Sequence, residues 1–461
     1  MNYDEAVALI DAHADRGMNP GLERIEGLLA LMGNPQHAYS VIHVAGSNGK
    51  TSTTRLIATL AASHGMSVAT YTSPHLHRIE DRLQYNGVAA AADEFAQAVD
   101  DVRVFEEIWE QRGGDLLTYF EFMTAVALAW FADRGVDLAV IEVGLGGRLD
   151  ATNVVSSEVA VVTGIELEHT EQLGDTISAI AGEKIAIAKP DGILVTGDLH
   201  QDALEVAAAR SEALAIPWYT YDRDFAIVEA SQAVGGWLCD IRGLHATYTD
   251  LLLPTHGRIQ VHNLAVAIAA LEALFDQAMD VDAARAGLAA VENPGRIEVL
   301  ARQPLVVVDV AHTPNAASRL LEALEIEFPP LRWQIVMGAS REKDAEGIID
   351  VLGAIADGFT AVAADHPRSL DPAELLVLAE EHINGTVSAA SSVAEGLDQA
   401  MSLAGFEGAV LIVGSVFVAG EARSALLGID NSPTNGPSSL ERSIPSNSEN
   451  EEEDNLWNEL S

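Results

Sequence analysis

The sequence alternates short, β-branched apolar runs with helix-like segments rich in Ala, Leu and Glu. Runs at 68–73, 138–144, 159–165 and 192–197 are apolar almost throughout, as strands are when helices cover both faces of a parallel sheet. Strands that alternate with helices in this way are typical of α/β folds. The pattern therefore predicts a P-loop-type, doubly wound and mostly parallel sheet domain.

A second series of such runs begins after Asn293 and Pro294. The runs "LVVVDVA", "QIVMGAS", "FTAVAAD" and "AVLIVGS" again alternate with helical segments, which predicts a smaller, Rossmann-like α/β domain. We therefore expect domains at 1–292 and 293–428. Residues 429–461 are rich in Ser, Asn, Pro and Glu and offer little apolar surface to bury, which predicts a disordered acidic tail.

Charge and composition narrow the possible partners. With 26 basic and 69 acidic residues the formal net charge is -43, which argues against nucleic acid because binding a polyanion requires clustered Lys and Arg. No apolar run is long enough to span a bilayer, and the acidic opening does not resemble a signal peptide. We expect a cytoplasmic protein and interpret the acidity as an adaptation to a salt-rich cytoplasm. Cys239 is the single cysteine and is predicted to be a buried thiol.

A glycine-containing turn, "HVAGSNGKTS", joins an apolar run that ends at Ala45 to a helix-like segment. The N–H groups and the dipole at a helix start favour an anion. Lys50 would reach the β- and γ-phosphates of a nucleotide, and Thr51 or Ser52 would offer a hydroxyl to magnesium. The usual phosphate-loop pattern has glycine where this chain has Val44, so a plain strand-helix turn is the alternative. The candidate nucleotide-binding residues here are Gly46, Ser47, Asn48, Gly49, Lys50, Thr51 and Ser52.

Lysine is rare in this chain and occurs only at positions 50, 184, 189 and 343. Arginine carries most of the positive charge, so each lysine is a candidate for a site that needs a small, titratable amine. Solvated surface cations are the alternative.

Polar side chains follow three of the predicted strands at the edge where the loop also lies. They are Ser73, Glu142 and His169. Carboxylate, hydroxyl and phosphate oxygens suit Mg²⁺, which retains waters and needs few protein ligands. A capping serine, a solvated glutamate and a hydrogen-bonded histidine are the alternatives, but their convergence on one edge favours a metal site.

Nine segments together resemble the dihydrofolate synthase and folylpolyglutamate synthase family of the Mur ligase superfamily. They run in order through residues 20 to 425 and are "LERIEGLLALMGNPQ", "IHVAGSNGKTS", "YTSPHL", "TYFEFMTAVA", "IEVGLGGRLDATN", "HTEQLGDTISAIAGEKIAIAKP", "PGRIEVL", "VMGASREKD" and "IVGSVFVAGEAR". The segments "YTSPHL" and "GLGGRLDATN" distinguish this branch from the cell-wall peptide ligases.

The resemblance implies an ATP-dependent amide ligase that joins L-glutamate to dihydropteroate or to folates. ATP would phosphorylate the substrate carboxylate, and the amine of glutamate would attack the acyl phosphate. This agrees with the residues, because a carboxylate needs a better leaving group than oxide and Lys50 with magnesium offsets the charge of phosphoryl transfer. We expect both activities, two magnesium ions and a monomer.

Individual roles also follow from the resemblance. Ser73 and Glu142 would bind the magnesium at the β- and γ-phosphates, and His169 a second ion. Lys184 corresponds to the lysine that this superfamily carbamylates, which requires a neutral amine and so a lowered pKa. An ordinary salt-bridged helix lysine is the alternative. The remaining assignments are Asn263 and Arg296 to adenine and phosphate, Asp309 to ribose, His312 and Ser415 to glutamate or the acyl phosphate, and Asp150 to the pterin substrate. Lys343 and Asp344 also match, with interdomain packing as their alternative.

Three departures from the family pattern bear on substrate preference. Thr51 and Glu168 replace the usual glycine and aspartate, and "DVAHTP" replaces Asp-Gly-Ala-His-Asn-Pro. Two other functions stay open: a Mur-type peptide ligase of cell-wall synthesis, and a non-catalytic nucleotide-binding switch. A switch would not require Lys184, His169 or a second α/β domain.

Overall fold

The computed structural model describes residues 1–17 and 19–429. The predicted acidic tail, apart from Ile429, lies outside the described residues. Within the described part of the chain, no helix is both long and apolar enough to cross a membrane.

A mostly parallel sheet of eight strands forms the first part of the molecule. Its strands are β1 (Ser40–Ala45), β2 (Val68–Tyr71), β3 (Leu83–Tyr85), β4 (Val88–Ala89), β5 (Leu138–Glu142), β6 (Val159–Val162), β7 (Ile193–Thr196) and β8 (Trp218–Thr220). They lie in the order β4-β3-β2-β5-β1-β6-β7-β8, with β3 and β4 antiparallel to their neighbours. Val44 pairs with Glu142 on one side and with Val161 on the other. The connections turn to opposite sides at β1, and in open α/β sheets ligands bind at such a switch point.

Helices cover both faces of this sheet. They are α1 (Tyr3–Asp11), α2 (Glu23–Leu31), α3 (Lys50–Ser63), α4 (Ala92–Gln111), α5 (Tyr119–Arg134), α6 (Thr170–Leu173), α7 (Ile177–Ile185), α8 (Gln201–Leu214), α9 (Ile259–Phe275) and α10 (Val281–Ala289). Short 3-10 helices span Ala14–Arg16, Pro35–His37, Ile79–Arg82 and Ala151–Val154. Successive strand residues point to opposite faces, so Val44 packs beneath α3 and α9 while Val41 packs beneath α4 and α5.

A three-stranded antiparallel sheet extends the core beneath α9. It consists of β9 (Ala226–Ala233), β10 (Gly236–Arg242) and β11 (Thr247–Leu253), with β10 in the centre. Sequence analysis did not predict this sheet. Cys239 lies on its inner face and its Sγ contacts the carbonyl oxygen of Leu251 at 3.4 Å. Cys239 is buried, which confirms the prediction of a buried thiol, and burial raises the pKa of the thiol to about 12.

A second sheet of six strands follows. Its strands are β12 (Glu298–Arg302), β13 (Leu305–Val308), β14 (Trp333–Met337), β15 (Ala356–Ala361), β16 (Thr386–Ala389) and β17 (Ala409–Val413), in the order β12-β13-β17-β14-β15-β16. Only β12 runs antiparallel to its neighbour among these described strands. Its helices are α11 (Pro314–Glu327), α12 (Ala345–Leu352), α13 (Pro372–His382), α14 (Val393–Ala404) and α15 (Val416–Leu427), packed on both faces.

The two parallel-rich sheets confirm the predicted fold class. Six of the eight apolar runs contain an observed strand, and the other two, "QIVMGAS" and "FTAVAAD", overlap β14 and β15, which begin earlier than the runs. The predicted boundary at 292 and 293 falls between α10 and β12 and stays a prediction.

Candidate active site at the carboxyl edge of the first sheet

The loop after β1 leads directly into α3. Gly46 and Gly49 have φ angles of 152° and 80°, values that residues other than glycine rarely adopt. A Cβ at Gly46 would collide with the hydroxyl of Thr163, and one at Gly49 would lie 2.5 Å from Oδ1 of Asn263. The loop therefore requires both glycines. As at the start of any helix, the backbone N–H groups in the first turn of α3 have no acceptors within the helix.

Neighbouring segments hold the rest of the loop in place. The N–H of Ser47 donates to the carbonyl of Gly164 at 2.8 Å. Thr163 donates its hydroxyl to the carbonyl of Asn48 at 2.5 Å. Ser52 donates to Oδ1 of Asn293 at 3.2 Å, so Ser52 contacts the segment between the two sheets.

Lys50 folds back over the loop. Its Nζ donates to the carbonyl oxygen of Gly46 at 2.8 Å and to that of Ser47 at 3.4 Å. The ammonium group is thus held above the N-terminus of α3, where the helix dipole adds to its positive charge. This arrangement forms an anion-binding site at the switch point of the sheet.

Glu142 is a buried carboxylate beside the loop. It is 2% exposed, accepts the hydroxyl of Thr51 at 2.9 and 3.1 Å, and accepts the backbone N–H of Ser73 at 3.2 Å. Burial raises the pKa of Glu142, although Lys50 and Thr51 oppose the rise. A carboxylate and a hydroxyl this close together are oxygen donors of the kind that Mg²⁺ prefers.

Lys184 reaches the same loop from α7. It is 2% exposed, and its Nζ lies 3.1 Å from the carbonyl oxygen of Gly46 and 2.8 Å from Oε1 of Glu168. Burial lowers the pKa of Lys184 and the charge of Lys50 lowers it further, while Glu168 acts in the opposite direction. The pKa of Glu168 is lowered overall. Burial alone would raise it, but the ammonium groups of Lys184 and Lys50 have the larger effect.

A small, partly open cleft lies between these groups. Its lining includes Gly46, Lys50, Glu168, His169 and Lys184, together with residues 143–146 after β5. His169 lies at the start of α6, and burial lowers the pKa of its imidazole. In residues 1–17 and 19–429 no three His, Cys, Asp or Glu side chains form a ready-made metal cluster. The arrangement suits Mg²⁺ bound jointly by protein and phosphate oxygens.

Asn263 of α9 and Arg296, which precedes β12, lie in the same region. Asn263 lies against Gly49 and donates to Oε1 of Gln260 at 2.9 Å. Arg296 is half-buried, and its charge opposes the burial that raises the pKa values of Glu142 and Asp309. The predicted contacts of Asn263 and Arg296 with adenine and phosphate stay predictions.

His312 lies four residues after the end of β13, and its side chain is exposed to solvent although protein groups partly surround the imidazole. Its Nδ1 donates to the carbonyl oxygen of Val310 at 2.9 Å, which leaves Nε2 as the acceptor nitrogen. Burial lowers the pKa of His312, as do the charges of Lys343, Arg296 and His169, while its hydrogen bond to Val310 raises it. These effects favour a neutral imidazole, which lies near enough to His169 for the two side chains to interact electrostatically.

Three predicted substrate residues have their polar atoms engaged by the backbone. Asp150 accepts the N–H of Leu145 at 2.8 Å and that of Thr152 at 3.0 Å. Asp309 accepts the N–H groups of Ile297 and Ala311 at 2.9 and 2.7 Å. Ser415 accepts the N–H of Phe417 at 3.2 Å and caps α15. These contacts fix the turns around the site, and the predicted contacts with substrate stay predictions. Asp344 likewise caps α12.

Four polar residues at the site were not predicted from the sequence. Glu168 was noted only as a departure from a pattern, Thr163 and Asn293 were not singled out, and Arg55 was overlooked. Arg55 lies one helical turn after Thr51, and burial with the charge of Arg296 lowers its pKa to about 10. Its position four residues after Thr51, and so on the same face of α3, was the sequence signal that could have identified it.

Comparison with known proteins identifies two Mur ligase domains. The Mur ligase middle domain matches residues 44–271, and the glutamate ligase domain of Mur ligases matches residues 295–416. The first match contains the loop and Lys184, and the second contains His312.

Full-length relatives narrow the family. The Mycobacterium tuberculosis dihydrofolate synthase/folylpolyglutamate synthase is 36% identical over 439 residues, covering 88% of this chain and 90% of that protein. A structure of M. tuberculosis folylpolyglutamate synthase complexed with ADP and AMPPCP superimposes with a TM-score of 0.85 at 35% identity, covering 94% and 100% of the two chains. Escherichia coli FolC in complex with DHPP and ADP gives 0.82 at 28% identity, covering 93% and 98%.

The relatives are named as synthases and this chain contains both Mur ligase domains, which favours a ligase over a nucleotide switch. Their names also favour folate ligation over cell-wall peptide ligation. The chain therefore belongs to the dihydrofolate synthase/folylpolyglutamate synthase family of ligases.

Proposed function

We propose that the protein uses ATP to join the amino group of L-glutamate to dihydropteroate and to the γ-carboxylate of folate glutamates. The observation that carries this proposal is the convergence of Lys50, Glu142 and Lys184 on one loop at the switch point of the first sheet. Such a site serves phosphoryl transfer, because it places positive charge and oxygen donors around a polyphosphate.

Two bond exchanges account for the reaction. A carboxylate oxygen of the substrate attacks the γ-phosphorus and ADP leaves. The neutral amine of glutamate then attacks the acyl carbon, phosphate leaves and the nitrogen loses a proton. Lys50 and the N–H groups of α3 stabilise the transferring phosphoryl group. The amine nitrogen must be unprotonated to attack, and we assign His312, with Nε2 as its acceptor nitrogen, to take the proton.

The nucleotide and magnesium sites are assigned to the residues that the resemblance indicated. Glu142 and Ser73 would hold one magnesium with Thr51 nearby, and His169 with Lys184 would hold a second. Magnesium would supply charge neutralisation at the phosphate oxygens. Further contacts are assigned to Asn263 and Arg296 for adenine and phosphate, Asp309 for ribose, Ser415 for glutamate or the acyl phosphate, and Asp150 for the pterin substrate.

Carbamylation of Lys184 is part of this proposal. The neutral amine would add CO₂ and lose a proton, giving a carboxylate-like ligand. Burial favours this step because it lowers the pKa of Lys184, whereas the pair with Glu168 opposes it. A monomer in the cytoplasm, with small-molecule substrates and no nucleic-acid partner, completes the proposal.

A substrate panel tests the function. The purified protein is assayed for ADP release with dihydropteroate, tetrahydrofolate or a cell-wall peptide precursor, each with and without L-glutamate. We expect glutamate-dependent ADP release with dihydropteroate and with tetrahydrofolate. ADP release with the cell-wall precursor but with neither pterin substrate would reject the proposal. Activity with tetrahydrofolate but not with dihydropteroate would reject the addition of glutamate to dihydropteroate.

A further inference from the structure

Glu166 connects segments from both sheets at a position that the proposed chemistry does not use. It lies between β6 and α6. Its N–H donates to Oγ of Ser47 at 3.0 Å, and its Oε2 accepts Nδ2 of Asn48 at 3.0 Å. One residue thus contacts two consecutive positions of the phosphate loop through its backbone and its side chain.

The same carboxylate contacts α11. Oε2 also accepts Nδ2 of Asn315 at 3.2 Å, and Oε1 pairs with the guanidinium of Arg319. Asn315 and Arg319 are four residues apart and so lie on one face of the helix. Because α11 begins immediately after His312 and Thr313, its N-terminal turn sets where that histidine stands relative to the loop.

The opposite end of α11 is attached more firmly. Glu327 has a side chain that is 1% exposed, and it accepts the N–H of Gly257 at 2.6 Å, Nδ1–H of His256 at 2.9 Å and Nε1–H of Trp237 at 3.3 Å. Glu166 and Arg319 are 33% and 42% exposed. A buried, multiply bonded end resists separation, whereas an exposed ion pair is weak and readily broken.

We propose that Glu166 is a positioning residue that couples occupancy of the phosphate loop to the placement of α11 and His312. A nucleotide that orders Asn48 also orders the carboxylate bound to it, and the carboxylate then holds Arg319. This inference rests on the proposed function for its effect on turnover, but the coupling itself requires only nucleotide binding.

The primary test is hydrogen exchange of the 314–327 segment, with and without AMPPCP and Mg²⁺. The variants are Glu166→Gln, which keeps an acceptor for Asn48 but removes the charge, Arg319→Ala and their combination. Arg285→Ala is the matched control, because Arg285 is also 42% exposed and pairs with Asp282 inside one helix. AMPPCP should slow exchange of this segment in the wild type and in Arg285→Ala, and should not slow it in the other variants.

Turnover provides a second readout. Each coupling variant should lower kcat about fivefold with a smaller change in KM for ATP, the scale of an exposed ion pair. The double variant should be no worse than either single one, since both remove one interaction. Additive effects, or nucleotide-dependent protection that persists in Arg319→Ala, would overturn the proposal. If the protein lacks ligase turnover, the exchange measurement still decides the coupling, so the two failures are distinguishable.

Discussion

Replacing Lys184 by alanine probes the site most selectively, because this lysine is buried yet touches the phosphate loop only through one carbonyl. The substitution removes a 3.1 Å hydrogen bond to Gly46 and a 2.8 Å ion pair with Glu168. Glu168 has a side chain that is 26% exposed and regains water, so we expect a loss of about 1–3 kcal/mol in the free energy of unfolding. The fold should survive.

The effect on catalysis should be larger. If Lys184 holds a magnesium ion after carbamylation, its loss removes a preorganised stabilising group and should lower kcat by about 10²–10³. Binding of AMPPCP should weaken by less than about threefold, because Lys50 and the N–H groups of α3 are untouched. A small carboxylic acid such as acetate should restore part of the activity by occupying the vacated position.

Glutamate-dependent ADP release and AMPPCP titration measure these two effects. Lys189→Ala is the control, since Lys189 belongs to the same segment and donates to the carbonyl of Asn153 at 2.7 Å, away from the loop. That variant should keep its normal kcat. Ligation by Lys184→Ala within about twofold of wild type, far from the expected 10²-fold loss, would refute the metal role and leave Lys184 as a structural helix residue.

Three further variants test separate parts of the account. Lys50→Ala should lower kcat by about 10³ without rescue by acetate, since a diffusing anion cannot replace a cation at the phosphoryl group; ADP release measures it. Gly49→Ala should weaken AMPPCP binding, because its φ of 80° is strained for alanine and its Cβ meets Asn263. Gly65→Ala has a similar φ of 86° in open space and should lose stability only. His43→Gln should make the free energy of unfolding depend less on pH in acid. Burial lowers the pKa of His43 to about 3, so below about pH 6.5 only the unfolded chain binds this proton. His43 therefore lowers the free energy of unfolding of the wild type by about 1.4 kcal/mol for each pH unit below about 6.5. Urea unfolding at pH 4 to 7 tests this, and equal slopes would contradict it.

The sequence predicted the strands that are buried along their whole length. Strands such as β5 and β17 are buried on both faces, so their sequences are uninterrupted apolar runs. The sheet of β9 to β11 was missed because its outer face is solvated and its apolar residues alternate with polar ones. Bulges in β9 and β11, each of which has one more residue than the facing part of β10, further disturb that alternation.

The sequence predicted which edge of the first sheet carries the candidate site, but it did not predict the individual contacts there. Residues at strand ends, such as Glu142 and Ser73, were found because parallel strands bring their carboxyl ends together. The partners of Asp309 are N–H groups fixed by local turns, which sequence does not reveal. The pair of Glu166 and Arg319 joins residues 153 positions apart, and only the packing of α11 against the loop brings them together.

Oxygen transfer tests the central claim most directly. Dihydropteroate labelled with ¹⁸O in its carboxylate is incubated with the protein, ATP, Mg²⁺ and L-glutamate, and the released phosphate is examined by mass spectrometry. An acyl-phosphate intermediate passes one carboxylate oxygen to phosphate when the amine displaces it. We predict one ¹⁸O in the phosphate released for each amide formed. Amide formation with unlabelled phosphate would contradict the account, because the carboxylate would then not have been activated by phosphoryl transfer.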